Sequence, residues 1–181
     1  MTKIVAAPDR ACGACSLCCK VLKIKEFAKP AHQWCQHCRP GKGGCAIYDD
    51  RPSTCRGFVC FWLEGKMDDA WYPLKSKIVA HSVKNEDHAA PVLYFHVDVA
   101  YPQRWREEPY HSSIRHTAAV GLRLPEPHLT CVIVGENLFF VFPTRIIERT
   151  LQPLSPEQKR VVETAFDQAM LEFQLEETSC T

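Results

Sequence analysis

The chain has 181 residues, a formal net charge of +1, 46% apolar and 24% charged residues, enough for one domain of ordinary size or a domain with a small appended module, and its composition excludes disorder. No run of about 18 apolar residues exists, and Met1-Thr-Lys-Ile-Val-Ala-Ala-Pro8 breaks at proline before Asp9-Arg10, which argues against a transmembrane helix and a signal peptide. A cytoplasmic protein is expected, and eleven cysteines in a reducing compartment point to metal binding rather than disulfides.

Residues 12–62 are rich in Cys, Gly, Pro and Lys, and nine of the eleven cysteines lie between 12 and 60. Apart from a short helix over 20–28, this segment has no sustained periodicity, so it needs metal coordination to fold, because ligand binding energy then becomes folding energy. From about Lys75 ordinary globular text begins. Strands are predicted over 78–83 and 92–99, the latter alternating Leu93, Phe95, Val97 and Val99 against Tyr94, His96 and Asp98. A helix over 110–122 sets Ile114, Ala118 and Leu122 on one face. Strands over 130–134 and 138–142 flank the hairpin signal Gly135-Glu136-Asn137. Ser155-Pro156-Glu157-Gln158 opens a last helix, whose stripe Val162, Phe166, Ala169 and Phe173 is expected to pack on the sheet. The fold class predicted is α+β, with a cysteine-rich, metal-stapled N-terminal module over 1–66 packed on a small antiparallel sheet with two helices over 67–181. The boundary near residues 65–69 is soft.

Thiolates are soft ligands that select zinc or iron–sulfur clusters, and a Cys-x2-Cys spacing lets a tight turn aim two sulfurs at one ion. Cys12, Cys15 and Cys18 continue that spacing for three, an arrangement that also suits a cubane iron–sulfur cluster. Cys35 and Cys38 form another such pair, followed by Cys45, Cys55 and Cys60. Nine thiols exceed one tetrahedral site, and two four-coordinate centres would use eight, with His32 or His37 able to replace a thiol. Adjacent Cys18 and Cys19 point in different directions in most backbone conformations, so they serve separate centres or share a bridged one. The plainer reading, that these are small buried hydrophobes, fits Cys131 in an apolar strand; Cys131 and Cys180 are assigned to no metal.

Cys12-x2-Cys15-x2-Cys18-Cys19, followed by Gly44-Cys45-Ala-Ile47-Tyr48-Asp-Asp-Arg51-Pro52-Ser-Thr-Cys55-Arg56-Gly-Phe58, resembles the YkgJ-type cysteine-cluster family, a zinc- or iron-chelating domain. The match covers about residues 12–62. The resemblance implies metal ligation by Cys12, Cys15, Cys18, Cys19, Cys45 and Cys55, with Cys35 or Cys38 at the intervening position and Cys60 as a further candidate. It does not imply which thiols share a metal. The chain departs from the pattern at Ser16-Leu17 and at Val59, where many members have glycine and proline. Arg51 and Arg56 fall inside the matched block, where a guanidinium would neutralise thiolate charge and donate to sulfur at a cofactor; the plainer reading is a surface salt bridge.

Residues 1–60 hold ten Lys or Arg against four acids, a net +6 that thiolates on a metal would offset. Lys20, Lys23, Lys25 and Lys29 alternate partly with apolar residues and read as a solvated amphipathic element. The histidines are scattered, and His111 and His116 are five apart rather than the four that aligns two ligands, so no second site is expected from them. No phosphate loop, nucleophile elbow or His-Glu-x-x-His helix occurs, and enzyme status is left undecided. Function is read as a metal-binding protein holding an iron–sulfur or zinc centre. The resemblance, which extends to the cluster domain of flagellin lysine methylases, allows redox or group-transfer chemistry. The alternative is a zinc-stapled structural or interaction module binding protein or nucleic acid. The expected partners are metal ions and, at most, a protein; membrane and nucleic acid are disfavoured.

Overall fold

The computed structural model describes residues 6–83 and 91–179, with 172–179 described by backbone alone. The first helix, α1 (Cys18–Val21), is a single turn, followed by a 3-10 turn at Lys25–Phe27. The helix expected over 20–28 is therefore broken. Leu22 is extended, and Ile24 and Lys29 exchange two backbone hydrogen bonds of 3.0 Å, which satisfy groups that a continued helix would have used. Two further single turns are α2 (Ser53–Arg56) and α3 (Pro73–Ser76), the second opened by proline at its first turn.

β1 (Ile78–Val83) follows the expected bounds, whereas β2 (Val92–Val97) stops two residues short of them. Asp98 turns the chain: its carboxylate accepts from Ala100 N at 3.0 Å and its carbonyl from Tyr101 N at 2.8 Å. Val99, placed on the apolar face by alternation, is consequently exposed. α4 (Tyr110–Leu122) buries Ile114, Ala118 and Leu122, as its spacing predicts. β3 (Leu129–Val134) and β4 (Asn137–Val141) form an antiparallel hairpin closed by Val134 opposite Asn137, with Gly135 at φ 61° in the turn. β5 (Ile146–Thr150) pairs antiparallel with β4 and was not expected, because Ile-Ile-Glu-Arg-Thr alternates too weakly to stand out. In α5 (Pro156–Ser179) the capping box forms: Gln158 N donates to Ser155 Oγ at 3.2 Å, and Ser155 N donates to Gln158 Oε1 at 2.9 Å.

The protein is α+β, with a five-stranded sheet ordered β1-β2-β3-β4-β5. It carries the two longer helices expected and, among the described residues, three single α-helical turns and three 3-10 turns besides. The chain divides into two compact units, Met1–His81 with His96–Arg104, and Ser82–Phe95 with Trp105–Thr181. In the second, Val92, Leu122, Cys131, Phe140 and Phe142 bury against Val162, Ala165 and Ala169 of α5, with Phe166 at the margin. The side chain of Phe173 lies outside the described residues, as does Cys180. Cys131 is fully buried in this core, and burial raises its thiol pKa, so it serves as a small hydrophobe. Among the described residues, no helix is long and apolar enough to cross a membrane.

Candidate metal centre

The first unit has a small apolar core of Leu17, Val21 and Val79, and Cys15, Cys18 and Cys60 pack against it. Cys15 N donates to Cys12 O at 2.8 Å across a turn in which Gly13 has φ 53°, so the Cys-x2-Cys spacing closes as a tight loop. Cys60 is held beside β1 because Phe61 N donates to Ala80 O at 2.8 Å. Cys12, Cys15, Cys18 and Cys60 line one cavity of about 20 Å3 together with Trp62, Leu63, Tyr72, Pro73 and Val79. The Tyr72 hydroxyl donates to Cys12 O at 3.0 Å, and its ring lies 4.5 Å from that of Trp62. Cys12, Cys15 and Cys18 belong to one stretch that runs from the opening loop into α1, and Cys60, from the segment before β1, is the thiol that spacing alone does not join to them.

Cys18 and Cys19 are consecutive in α1, about 100° apart around the helix axis. Cys18 faces the cavity, and Cys19 meets a second group of thiols. Cys35 is buried and donates its N–H to Cys19 O at 3.0 Å; Cys38 N donates to Cys35 O at 3.0 Å, again a tight Cys-x2-Cys turn. Cys38 and Cys45 pair as an antiparallel bridge, and the loop between them contains Gly41, Gly43 and Gly44, all at positive φ. At Gly43 a Cβ would lie 2.2 Å from Gly13 O and 2.8 Å from Ala14 Cα, so only glycine lets this loop rest on the opening Cys12–Cys15 turn. Cys55 sits in α2, and its electrostatic neighbours include Cys19, Cys35 and Cys45. The start of α2 is fixed by Glu26, whose carboxylate accepts from Ser53 Oγ at 3.0 Å, Thr54 N at 3.1 Å and Thr54 Oγ1 at 2.8 Å. Nine sequence-predicted ligands thus fall into a group of four (Cys12, Cys15, Cys18, Cys60) and a group of five (Cys19, Cys35, Cys38, Cys45, Cys55).

Burial raises the thiol pKa of Cys12, Cys15, Cys38, Cys55 and Cys60, with Cys15 and Cys38 each reaching about 11. Cys18 is raised well above its ordinary value, first by donating its S–H to Cys19 and then by burial. Cys19 goes the other way, to about 6. It accepts from Cys18 foremost and also from Cys38, and Lys29 and Arg51 add positive charge, against an opposing effect of burial. Within these groups, Cys19 is therefore the thiol readied to carry negative charge.

Arg51 donates from Nε to Tyr48 O at 2.9 Å, stacks 3.6 Å above the Tyr48 ring and lowers the pKa of both Cys12 and Cys19. Arg56 ends α2 and is exposed. In the basic stretch Lys23 and Lys25 are exposed, as the alternation suggests, whereas Lys20 and Lys29 are not. Lys20 pairs with buried Asp98 at 2.6 and 2.8 Å, and Lys29 is buried. Sequence pattern cannot reveal this, because the acceptors are distant carboxylate and main-chain oxygens.

Two of the scattered histidines meet in the fold. His81 and His96 place their Nε2 atoms 3.0 Å apart with rings parallel to within 10°, and Phe58 packs edge-on against His81 at 5.2 Å. Burial lowers the His96 pKa to about 3, helped by the charges of His81 and His32. These residues are far apart in sequence, and only the adjacency of β1 and β2 brings His81 to His96. His37 instead lies 4.9 Å from the Phe27 ring.

Among the described residues, no group of three or more Cys, His, Asp or Glu side chains is placed to hold a metal ion. The donor chemistry nevertheless suits a soft metal, with grouped thiols and two cations beside them. No family model matches the chain, and no curated protein and no solved structure matches it.

Proposed function

We propose that the protein binds zinc or an iron–sulfur centre through clustered cysteine thiolates, and that its nine N-terminal cysteines serve two centres rather than one. The observation that carries this reading is the cavity shared by Cys12, Cys15, Cys18 and Cys60. Cys12, Cys15 and Cys18 of one continuous stretch meet Cys60 around this small space, and thiols gathered in this way are the soft donors that zinc and iron–sulfur centres use. A four-thiolate zinc site, once drawn closed by the metal, would make residues 12–62 a metal-stapled module. The remaining five thiols supply the second centre, and Cys19, which accepts from both Cys18 and Cys38, lies where the two groups meet. The resemblance of residues 12–62 to the cysteine-cluster family supports the same reading.

The chain's own residues supply the ligands, the turns that aim them and the positive charge beside them. The bound metal would supply the cross-link that the short core of Leu17, Val21 and Val79 cannot provide alone. Metal analysis of Cys15→Ser, Cys55→Ser and Cys131→Ala tests the assignment. Cys15→Ser and Cys55→Ser should each lose about half of the wild-type metal, because they empty different centres, whereas Cys131→Ala should lose none. Wild-type metal content in both serine variants would overturn the ligand assignment.

A further inference from the structure

Cys38 and Cys45 stand opposite each other across an antiparallel bridge. The hydrogen bonds around it fix its type. Ala46 N donates to His37 O at 2.8 Å and Arg39 N donates to Gly44 O at 3.3 Å, so the ladder bonds flank the pair instead of joining it. In such a non-hydrogen-bonded pair the Cα atoms are about 4.5 Å apart, and both side chains leave the ribbon on the same face. A disulfide spans Cα separations of about 4.4–6.8 Å, so this pair lies within bridging range with no backbone movement. The ribbon is also fixed in place: Lys42 N donates to Arg39 O at 3.2 Å in the connecting loop, and Gly43 rests against Gly13 of the opening turn. Both cysteines are free and half-buried, open to a small oxidant, whereas Cys35, the other thiol of the Cys38 turn, is buried.

We propose that Cys38 and Cys45 are a redox pair, a site at which a hydroperoxide converts two thiols into a cross-strand disulfide and so withdraws two of the five thiols of the second group. One thiolate attacks the peroxide: an S–O bond forms, the O–O bond breaks, and hydroxide leaves and is protonated to water. The other sulfur then attacks the sulfenic acid: the S–S bond forms, the S–O bond breaks, and a second water leaves. With hydrogen peroxide the sum is two thiols oxidised by two electrons and one peroxide reduced to two waters. The consequence for a metal rests on the reading above: Cys19, Cys35 and Cys55 alone are one thiol short of a four-thiolate site, so that centre releases its ion while the four-thiol group is untouched.

The protein as purified, kept reduced, should be treated with hydrogen peroxide, its remaining thiols blocked with N-ethylmaleimide, and its tryptic peptides mapped by mass spectrometry. Trypsin cuts after Lys42, so the peptides carrying Cys38 and Cys45 then stay joined only through a disulfide. Fragmentation should place the main link between Cys38 and Cys45, and dithiothreitol should remove it. A main link from Cys38 to Cys35 or Cys19, a random mixture of links, or oxidation to sulfinic acid with no link would overturn the proposal. In zinc-loaded protein the same treatment should release about half of the bound zinc to a chromophoric indicator; a Cys38–Cys45 disulfide with no zinc released would overturn the metal consequence. Protein that takes up neither zinc nor iron defeats the metal reading alone, because the position of the disulfide is read without it.

Discussion

His96 is buried against His81, and burial foremost, then the charges of His81 and His32, depress its pKa to about 3, whereas an ordinary histidine titrates near 6.5. Between these values the unfolded chain takes a proton that the folded chain refuses, so stability rises with pH there. The contribution of a neutral His96 is complete above about pH 6.5 and is lost as pH falls toward 3, by up to about 1.4 kcal/mol per unit. Urea unfolding at pH 7, 6, 5 and 4 should show a steeper loss for wild type than for His96→Phe; equal slopes would contradict the assignment of this proton to His96. The clustering of nine thiols within residues 12–60, on which the metal proposal rests, was legible in the sequence. The meeting of His81 with His96 was not, since it depends on the pairing of β1 with β2 rather than on neighbours in sequence.

The elements that aim the thiols are turns: two Cys-x2-Cys turns, the single helical turns α1 and α2, and the glycine loop between Cys38 and Cys45. Such pieces are too short to stand by helix propensity, so their positions rest on specific contacts, including Glu26 at the start of α2 and the close approach of Gly43 to Gly13. Gly43→Ala would combine a left-handed φ of 72° with a Cβ 2.2 Å from Gly13 O. It should destabilise the first unit by about 2–3 kcal/mol and weaken metal retention, measured by urea unfolding and by chelator-driven release. Unaltered release kinetics would show that this loop contact does not hold the thiol groups together. The longer elements were readable because burial imposes a period: α4, β3, β4 and α5 each carry it. β2 was overextended because Asp98 turns the chain where alternation continues, and β5 was missed because it is short and mostly polar.

At the scale of the whole molecule, the chain divides into a unit with a small apolar core and nine clustered thiols, and a unit with a conventional core of sheet and helix residues. The α+β class followed from the change in pattern near residue 75. The sorting of thiols into four and five did not, because Cys60 reaches the opening loop only through its attachment beside β1. The most direct measurement is metal and sulfide analysis, with an absorption spectrum, on wild-type protein purified without oxygen. About two zinc ions per chain in a colourless sample, or iron and sulfide with broad absorption near ~400 nm, is the expected result. Protein that is folded, free of metal and unable to take up either zinc or iron would contradict the central claim.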